Sequence, residues 1–210
     1  KRQATREEHD LPVTEHLLAD KPEHLFLRPE ADLIDPDNPW GFKLDVPQYK
    51  FNRGELYNLS TRRGTLTNEE RYIINNHIVQ TILMLNSLPL PAYLSNIAEI
   101  AGGHHEKMDG SGYPKRLKRE EMSLESRMMA IADIFEALTA SDRPYKRSKT
   151  LSEALSIMAT MCHDAHIDPQ LFALFMREQV FMQYARQFLD PEQIDTVDID
   201  ALLLKAGLTA

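Results

Sequence analysis

One stretch of this chain combines metal-binding side chains with residues that shape a turn, and it reads HHEKMDGSGYP from residue 104 to residue 114. Its first three residues, His104, His105 and Glu106, are of the types that hold divalent transition metals. The glycines that follow allow a backbone to approach a ligand closely, and the proline stiffens the turn. The stretch predicts the wall of a metal site joined to a phosphate-facing loop. A histidine pair before an ordinary surface turn is the alternative.

Two further polar side chains support the metal site when they are taken with this stretch. His77 lies in a predicted helix, on the same face as Ile74, and Asp133 lies among the apolar residues of another predicted helix. A carboxylate in such surroundings is costly unless it is paired, hydrogen-bonded or bound to metal. Taken singly, a core histidine or aspartate is more often satisfied by a hydrogen bond. Four such residues on three consecutive helices, His77, His104, His105 and Asp133, favour a metal cluster.

Composition limits the classes of function that fit. The chain has 210 residues, 42% of them hydrophobic, which predicts one domain with an extension and a sizeable core. A formal net charge of −8 argues against a general DNA or RNA binder. The single cysteine, Cys162, rules out an internal disulfide and favours a reducing compartment, so we expect a cytoplasmic protein. No apolar run is long enough to span a bilayer.

Charge is distributed unevenly along the chain. Residues 115–149 carry nine basic side chains against six acids, whereas residues 161–210 carry three against eight. A basic patch near a candidate metal site in an acidic protein suggests a small anionic ligand. A solvated charged face is the alternative for any one of these residues.

The pattern of apolar residues predicts an all-α fold with an irregular N-terminal arm. Six prolines break the first part of the chain, and we expect domains at 1–52 (irregular arm), 53–188 (helical domain) and 189–210 (helical extension). Helix starts are predicted at Thr67-x-x-Glu70, Ser123 and Thr150-x-x-Glu153, and at Asp168-Pro169. The predicted helices run from Thr67 to the prolines at 89 and 91, over 92–105, over 123–140, onward from 150, and over 168–188, with a last short helix before Gly207.

Several motifs in a fixed order resemble the HD-GYP family of the HD superfamily of metal-dependent phosphohydrolases. They are HHE at 104–106, DGSGYP at 109–114, IADIFEALT at 131–139, RPYK at 143–146, and GTLTxxE at 64–70 followed by His77. The resemblance covers about residues 54–178. It implies a helical bundle that holds two or three metals, commonly iron or manganese, and that hydrolyses cyclic di-GMP or a related cyclic dinucleotide.

Carried over residue by residue, the resemblance assigns roles to particular side chains. It makes His77, His104, His105 and Asp133 metal ligands, and places His104, His105 and Asp133 at the catalytic centre. The residues it assigns to the substrate are Arg143 and Lys146 on the phosphates, and Tyr113, Gly112 and Asp109 at the substrate-side loop. Arginine can grip a phosphate bidentately, and lysine acts as a point charge. A homodimer and a sensor domain upstream of Lys1 are further expectations.

The chain departs from the family at its eponymous adjacent His-Asp pair. That pair is expected near Gln48-Tyr49, and neither residue is a good substitute. The only His-Asp dipeptide, His9-Asp10, lies far upstream without a helical, apolar setting, and we interpret it as chance. Three functions therefore stay open: a phosphodiesterase for cyclic dinucleotides, a binding module of the same fold without turnover, and a phosphohydrolase for another nucleotide.

Overall fold

Residues 16–62, 64, 66–141 and 148–209 are described by the structure, a computed structural model. These residues are mainly helical, which confirms the all-α prediction. The helices are α1 Glu55–Leu59, α2 Asn68–Ser87, α3 Ile97–Gly103, α4 Leu124–Thr139, α5 Leu151–His163, α6 Pro169–Arg177, α7 Val180–Phe188 and α8 Ile199–Lys205. The chain divides into two compact units, residues 1–33 with 45–74 and residues 34–44 with 75–210. The predicted domain boundaries at residues 52 and 188 stay predictions.

The first unit contains a small sheet that the apolar pattern did not predict. Strand β1, Leu25–Leu27, pairs antiparallel with β2, Tyr49–Asn52, and the register shifts between Phe26 and Leu27. The Arg28 guanidinium donates to the Pro47 and Tyr49 carbonyls and lies 4.3 Å from the centre of the Tyr72 ring. The strands are joined by a long irregular connection instead of a tight turn, so they leave no hairpin signal in the sequence.

The second unit holds the main hydrophobic core, to which α4, α5, α6, α7 and α8 all contribute buried residues. Its fully buried members are mostly aliphatic and aromatic: Leu151, Leu155, Met158, Ile167, Phe172, Met176, Phe181 and Leu203. A smaller cluster joins Phe42 to Val79 and Ile82 of α2. The apolar spacing of α2 predicts that Ile74 and Met84 face the core, but they are 49% and 57% exposed, so this prediction is wrong.

The predicted helix starts are confirmed by side-chain caps. The Thr67 N–H donates to the Glu70 carboxylate, and the Glu70 N–H donates back to the Thr67 hydroxyl. The Ser123 hydroxyl accepts from the Ser126 N–H at the start of α4. Thr150 forms the predicted capping box at the start of α5. Such caps satisfy donors that the first helical turn leaves unpaired.

Two predicted helices are each broken into two pieces. The segment over 92–105 is a 3₁₀ turn at Ala92–Leu94 followed by α3, which ends at Gly103, so both histidines lie beyond the helix. The segment over 168–188 is interrupted between α6 and α7, where Gln179 takes a left-handed backbone with φ of 50°. Only glycine adopts that conformation without cost, so the residue types did not predict the break between α6 and α7.

The α3 helix packs closely against its neighbours through two glycines. A Cβ on Gly102 would lie 2.6 Å from the Ile82 side chain, and one on Gly103 would lie 2.7 Å from the Ser126 hydroxyl. The end of α3 is thereby held against α2 and α4. Within the described ranges, no helix combines the length and apolar character that crossing a membrane requires.

Candidate metal centre

Three of the predicted ligands come together in the second unit. One ring nitrogen from each of His77, His104 and His105 can be chosen so that all three lie within 4.8 Å of one another. His77 comes from α2, whereas the other two leave the end of α3 in a turn. The convergence therefore depends on the close packing of α3 against α2, which the glycine at 102 permits. This group of histidines could hold a metal ion.

The orientations of the rings fit a shared ion. The His104 Nδ1 lies 2.7 Å from the Ala101 carbonyl oxygen, which fixes the proton on Nδ1 and leaves Nε2 as a lone-pair donor. The Nε2 atoms of His77 and His105 lie 3.3 Å apart. Two imidazole nitrogens bound to one ion at about 2.1 Å lie roughly 3.0–3.4 Å from each other, depending on coordination geometry. The observed separation falls in that range.

His105 is neutral over the physiological range of pH. Burial, followed by the neighbouring His104 and His77, lowers its pKa from 6.5 to about 4, and the Asp133 charge acts in the opposite direction. A neutral imidazole has the free lone pair that metal coordination requires. The crowding of the rings, with the His104 and His105 centroids 4.1 Å apart, contributes to the lowered pKa of His105.

Asp133 is placed differently from its sequence-based interpretation. It is exposed on α4, between the exposed Met129 and the exposed Glu136, so the prediction that it is a buried carboxylate is wrong. The apolar residues around it in the sequence belong to the opposite side of the helix, where Ile131 and Phe135 are buried. Its charge nevertheless acts on both His105 and Tyr113. Its role as a ligand stays a prediction.

Glu106 serves the loop that follows the histidines, although its residue type suggested metal binding. It is 1% exposed, and its carboxylate accepts the N–H groups of Lys115 at 2.6 Å and Leu117 at 2.9 Å. Burial raises its pKa, and the loop amides oppose that shift. Glu106 thereby ties the far end of the DGSGYP loop to the residue after the histidine pair.

The loop returns to the histidines through Gly112 and Tyr113. A Cβ on Gly112 would lie 2.4 Å from the Glu106 Cα, so only glycine fits there. The Tyr113 N–H donates to the His105 carbonyl, and the two rings stack with centroids 4.9 Å apart. Asp109 caps the turn by accepting the Ser111 N–H at 2.8 Å. Tyr113 and Gly112 therefore border the histidines, whereas Asp109 is exposed at the turn.

The Asp168 side chain links the residues that follow the DGSGYP loop to α4 and α6, although the sequence indicated it only as a helix cap. Its buried Oδ2 accepts the Arg119 Nε at 2.8 Å and the Arg127 Nη1 at 2.6 Å. Its Oδ1 accepts the Gln170 and Leu171 N–H groups at the start of α6. Burial alone would raise the pKa of Asp168, but these donors hold it below its usual value. One carboxylate thus joins the chain after the loop to α4 and α6.

His166, which lies in the turn before α6, is also near the site. His166 is partly buried, and burial lowers its pKa, followed by the charge of Lys107. Its charge also acts on His105. The signal in the sequence was its proximity to Asp168-Pro169, which fixes the turn before α6.

Other predicted residues belong to the first unit or lie outside the described residues. Arg143, Lys146 and the His9-Asp10 dipeptide lie outside the described residues. Gln48-Tyr49, the expected place of the missing pair, belongs to the first unit, and Tyr49 begins strand β2. The second unit thus supplies the three imidazoles without that pair.

Comparison with known proteins agrees with this geometry. The profile of the HD-domain family matches residues 12–171. A probable cyclic di-GMP phosphodiesterase of Vibrio cholerae is 37% identical over 141 residues, which are 64% of this chain and 32% of the relative. A 3'3'-cGAMP-specific phosphodiesterase of the same organism is 40% identical over 110 residues, 52% of this chain and 23% of the relative.

A third relative is a cyclic di-GMP phosphodiesterase of Pseudomonas aeruginosa, 37% identical over 114 residues, which are 54% of this chain and 26% of the relative. The chain thus spans a third or less of the length of these relatives. The family profile covers most of the chain, including the histidine group and the loop beside it. The chain belongs to the HD-domain family of metal-dependent phosphohydrolases, and its HD-GYP resemblance is confirmed.

Proposed function

We propose that this chain is the phosphodiesterase domain of a signalling protein and hydrolyses a cyclic dinucleotide, cyclic di-GMP or a close relative, with metal bound at the histidine group. The observation that carries the proposal is the convergence of His77, His104 and His105 within 4.8 Å. The names of the relatives supply the substrate class, since they act on cyclic di-GMP or 3'3'-cGAMP. The resemblance favours iron or manganese as the metal.

The donor set fits such a metal, and each side chain has a definable part. His77, His104 and His105 would hold the ion, with Asp133 as the candidate fourth ligand. When bound, a divalent ion polarises a phosphoryl oxygen and lowers the pKa of a coordinated water. The Ala101 carbonyl holds the His104 ring in the tautomer that presents Nε2. The partial burial of His105 lowers its pKa to about 4 and keeps its ring neutral, so that a proton does not compete for the lone pair.

The loop beside the histidines supplies the substrate side of the site. Tyr113 stacks on His105 and presents an aromatic edge where a base or ribose could pack. Gly112 lets the loop backbone lie against the Glu106 backbone, and Asp109 caps the turn. Arg143 and Lys146 carry the positive charge that two phosphates require, by resemblance to the family motif RPYK.

A second candidate function is a binding module that holds the dinucleotide without turnover. The specific observation in its favour is the absence of the adjacent His-Asp pair at Gln48-Tyr49, where Tyr49 lies in a β-strand. Two-metal catalysis needs bridging carboxylates, and the three imidazoles alone provide one metal site. Both the phosphodiesterase and the binding module would bind the cyclic dinucleotide, but only the phosphodiesterase would hydrolyse it.

Metal content and turnover, measured on the same preparation, separate these candidates. We expect about one equivalent of iron or manganese per chain by elemental analysis, and release of a linear dinucleotide or mononucleotide from cyclic di-GMP or 3'3'-cGAMP. Bound metal with ligand affinity and no turnover would favour the binding module. No metal and no ligand affinity would refute the proposal. A panel that adds nucleoside monophosphates tests the third possibility, a different nucleotide substrate.

Variants test the assignment of the residues. His104→Ala and Asp133→Ala should lower bound metal and abolish turnover, whereas Arg143→Ala should chiefly raise KM because it removes binding energy. His163→Ala is the matched control, since that histidine is exposed at the end of α5. Unchanged metal content in both ligand variants would refute the site as assigned.

The setting of the domain is part of the same proposal. We expect it to work in the cytoplasm, as a homodimer and under the control of a sensor domain upstream. The low coverage of the relatives fits such a larger protein. Mass photometry of the whole gene product would test the homodimer.

A further inference from the structure

We infer that residues 34–44 form a strap that positions the metal centre, with Phe42 as the positioning residue. The strap joins α2, which carries His77, to the DGSGYP loop, whose Tyr113 stacks on His105. It thereby fixes the separation of the two sides of the histidine group and raises the affinity of that group for metal. The consequence for metal affinity rests on the proposed function, whereas the contacts of the strap do not.

The strap belongs to the second unit, although the chain on either side of it belongs to the first. It contains no helix or strand, so its position depends on side-chain packing and a few hydrogen bonds. Phe42 packs with Val79 and Ile82 of α2, and Ile34 and Leu44 pack around this cluster. Phe42 is only 6% exposed, so the contact is a buried one.

The Phe42 contact lies next to the packing that brings the histidines together. Its partner Ile82 also meets α3, because a Cβ on Gly102 would lie 2.6 Å from the Ile82 side chain. Gly102 precedes His104 by two residues, and Ile82 follows His77 by just over one helical turn. Phe42 therefore packs on the side chain through which α2 contacts α3.

The next residue ties the strap to the loop. The Lys43 N–H donates to the Pro114 carbonyl at 2.7 Å. Pro114 directly follows Tyr113, whose own N–H donates to the His105 carbonyl. Consecutive residues of the strap thus contact α2 through a side chain and the loop through the backbone.

Asn38 and Gly41 hold the strap in shape. The Asn38 side-chain amide donates to the Phe42 carbonyl at 3.1 Å, and its oxygen accepts the Phe42 N–H at 2.9 Å. The same amide donates to the Asp35 carbonyl at 2.8 Å. Gly41 takes a left-handed backbone with φ of 71°, which other residue types adopt only at a cost. One side chain therefore fixes both polar groups of the Phe42 backbone.

A fixed strap favours metal binding because the ligands are held in place beforehand. An ion binds several imidazoles tightly when their nitrogens already have the required separation, since any rearrangement subtracts from the binding free energy. Loss of the strap contacts would allow α2 and the loop to move apart. By linkage, a bound metal must then stabilise the strap by the same factor by which the strap raises metal affinity.

Metal affinity tests the positioning role, with Zn²⁺ as the probe because three imidazoles bind it and it has no redox chemistry. In Phe42→Ala we expect the Kd for Zn²⁺, measured by competition with a chromophoric chelator, to rise about tenfold, as when a residue that orients metal ligands is lost. Trp40→Ala is the matched control, since this aromatic residue of the strap is 38% exposed and should change the Kd by less than about twofold.

A core variant separates positioning from general loss of stability. Leu203→Ala removes a fully buried side chain of α8 and should leave the Kd within about twofold of the unaltered chain, because distant sites act independently. A Kd that rises equally in Phe42→Ala and Leu203→Ala would overturn the positioning role. A Kd that does not rise in Phe42→Ala would overturn it as well.

Hydrogen exchange of the Lys43 amide tests the tie in the metal-free protein. Gly41→Ala strains the strap without a clash, since nothing lies within 4 Å of the added Cβ, and it leaves residues 42 and 43 unchanged. We expect the protection factor of the Lys43 N–H, measured by NMR, to fall about fivefold, the lower end of what a left-handed alanine costs.

Gly207→Ala is the matched control for that strain. It imposes a similar backbone conformation, with φ of 78°, at the end of α8. It should leave the protection of the Lys43 N–H within about twofold, because exchange there follows local opening of the strap. No fall in Gly41→Ala, or an equal fall in both variants, would overturn the tie.

The linkage gives a readout that a merely structural strap would not change. Saturating Zn²⁺ should raise the protection factor of the Lys43 N–H in the unaltered chain by about tenfold, the factor expected for the Kd. Unchanged protection with Zn²⁺ bound would overturn the positioning role even where the tie is intact.

The readouts also keep the failures apart. An unaltered chain that binds neither Zn²⁺ nor manganese nor iron refutes the proposed function, and the effect of the strap on metal affinity falls with it. Exchange of the Lys43 N–H in metal-free Gly41→Ala still decides whether the strap ties α2 to the loop.

Discussion

Replacement of Asp168 by asparagine should destabilise the second unit by a predictable amount. Asp168 Oδ1 accepts the two N–H groups that begin α6, and asparagine keeps this cap because its carbonyl oxygen can accept the same bonds. Oδ2 accepts Arg119 and Arg127, and the asparagine NH2 would place donors against these two donors. The substitution therefore removes the ion pairs and spares the helix cap.

The magnitude follows from how deeply the three charges are buried. Breaking a fully buried pair by removing one partner costs roughly 3–5 kcal/mol. The Asp168 side chain is fully buried, but those of Arg119 and Arg127 are 32% and 18% exposed, so water can solvate the cations left behind. We expect a loss of about 2–4 kcal/mol, which lowers Tm by roughly 5–15 °C in a chain of this size.

Urea unfolding followed by circular dichroism measures this loss, with Asp164→Asn as the control. Asp164 is exposed four residues away, so the same change of charge there should cost less than about 0.5 kcal/mol. The pKa of Asp168 is held below its ordinary 3.8, so its stabilisation is present above about pH 4 and is lost as pH falls through the lower pKa of the folded state. The difference between the unaltered chain and Asp168→Asn should therefore shrink below pH 4. Equal stabilities at pH 7 would refute the reasoning, as would a difference that does not change with pH.

Three further predictions concern the loop and the core. Glu106→Ala removes the acceptor of at least two loop N–H groups and should cost about 2–4 kcal/mol by urea unfolding, whereas Glu99→Ala, an exposed glutamate of α3, should cost little. Gly112→Ala places a Cβ 2.4 Å from the Glu106 Cα and should lower both Tm and bound metal. Ser111→Ala, next to it, should leave both unchanged. A Gly112→Ala variant with unchanged Tm and normal metal content would show that the loop does not need the close approach of the two backbones. Burial raises the pKa of the Cys162 thiol to about 11, so a thiol reagent at pH 8 should modify it only at the rate of unfolding, and fast modification of the folded protein would contradict its burial.

Features set by local sequence could be predicted, and the helix starts are the clearest of them. Thr67, Ser123 and Thr150 accept the hydrogen bonds that their spacing indicated, and Gly207 ends α8 with a φ of 78°. These contacts lie within three or four residues, where spacing in sequence determines position in space. The histidine pair and the fold class followed from motifs of the same local kind.

Features set by packing could not be predicted. Asp133 has apolar neighbours in sequence, yet it is exposed because only one side of α4 meets the core. The break between α6 and α7 occurs at Gln179, a residue type that ordinarily continues a helix. In both cases the tertiary environment decided what periodicity left open.

Long-range polar contacts were equally out of reach. The Glu106 carboxylate accepts loop N–H groups about ten residues later in the sequence, and the Gln193 amide donates to a carbonyl 54 positions away. Asp168 was predicted as a helix cap, and its two arginine partners lie more than 40 positions upstream. Charge and residue type limit such pairings, but the fold selects the partners.

The central claim is that imidazoles from α2 and the end of α3 share one cation. Anomalous diffraction from crystals of the protein prepared with manganese or iron tests it most directly. We expect an anomalous peak about 2.1 Å from a ring nitrogen of each of His77, His104 and His105. A peak elsewhere would contradict a shared cation. So would crystals grown with metal in excess in which the three rings bond only to one another and to backbone carbonyls.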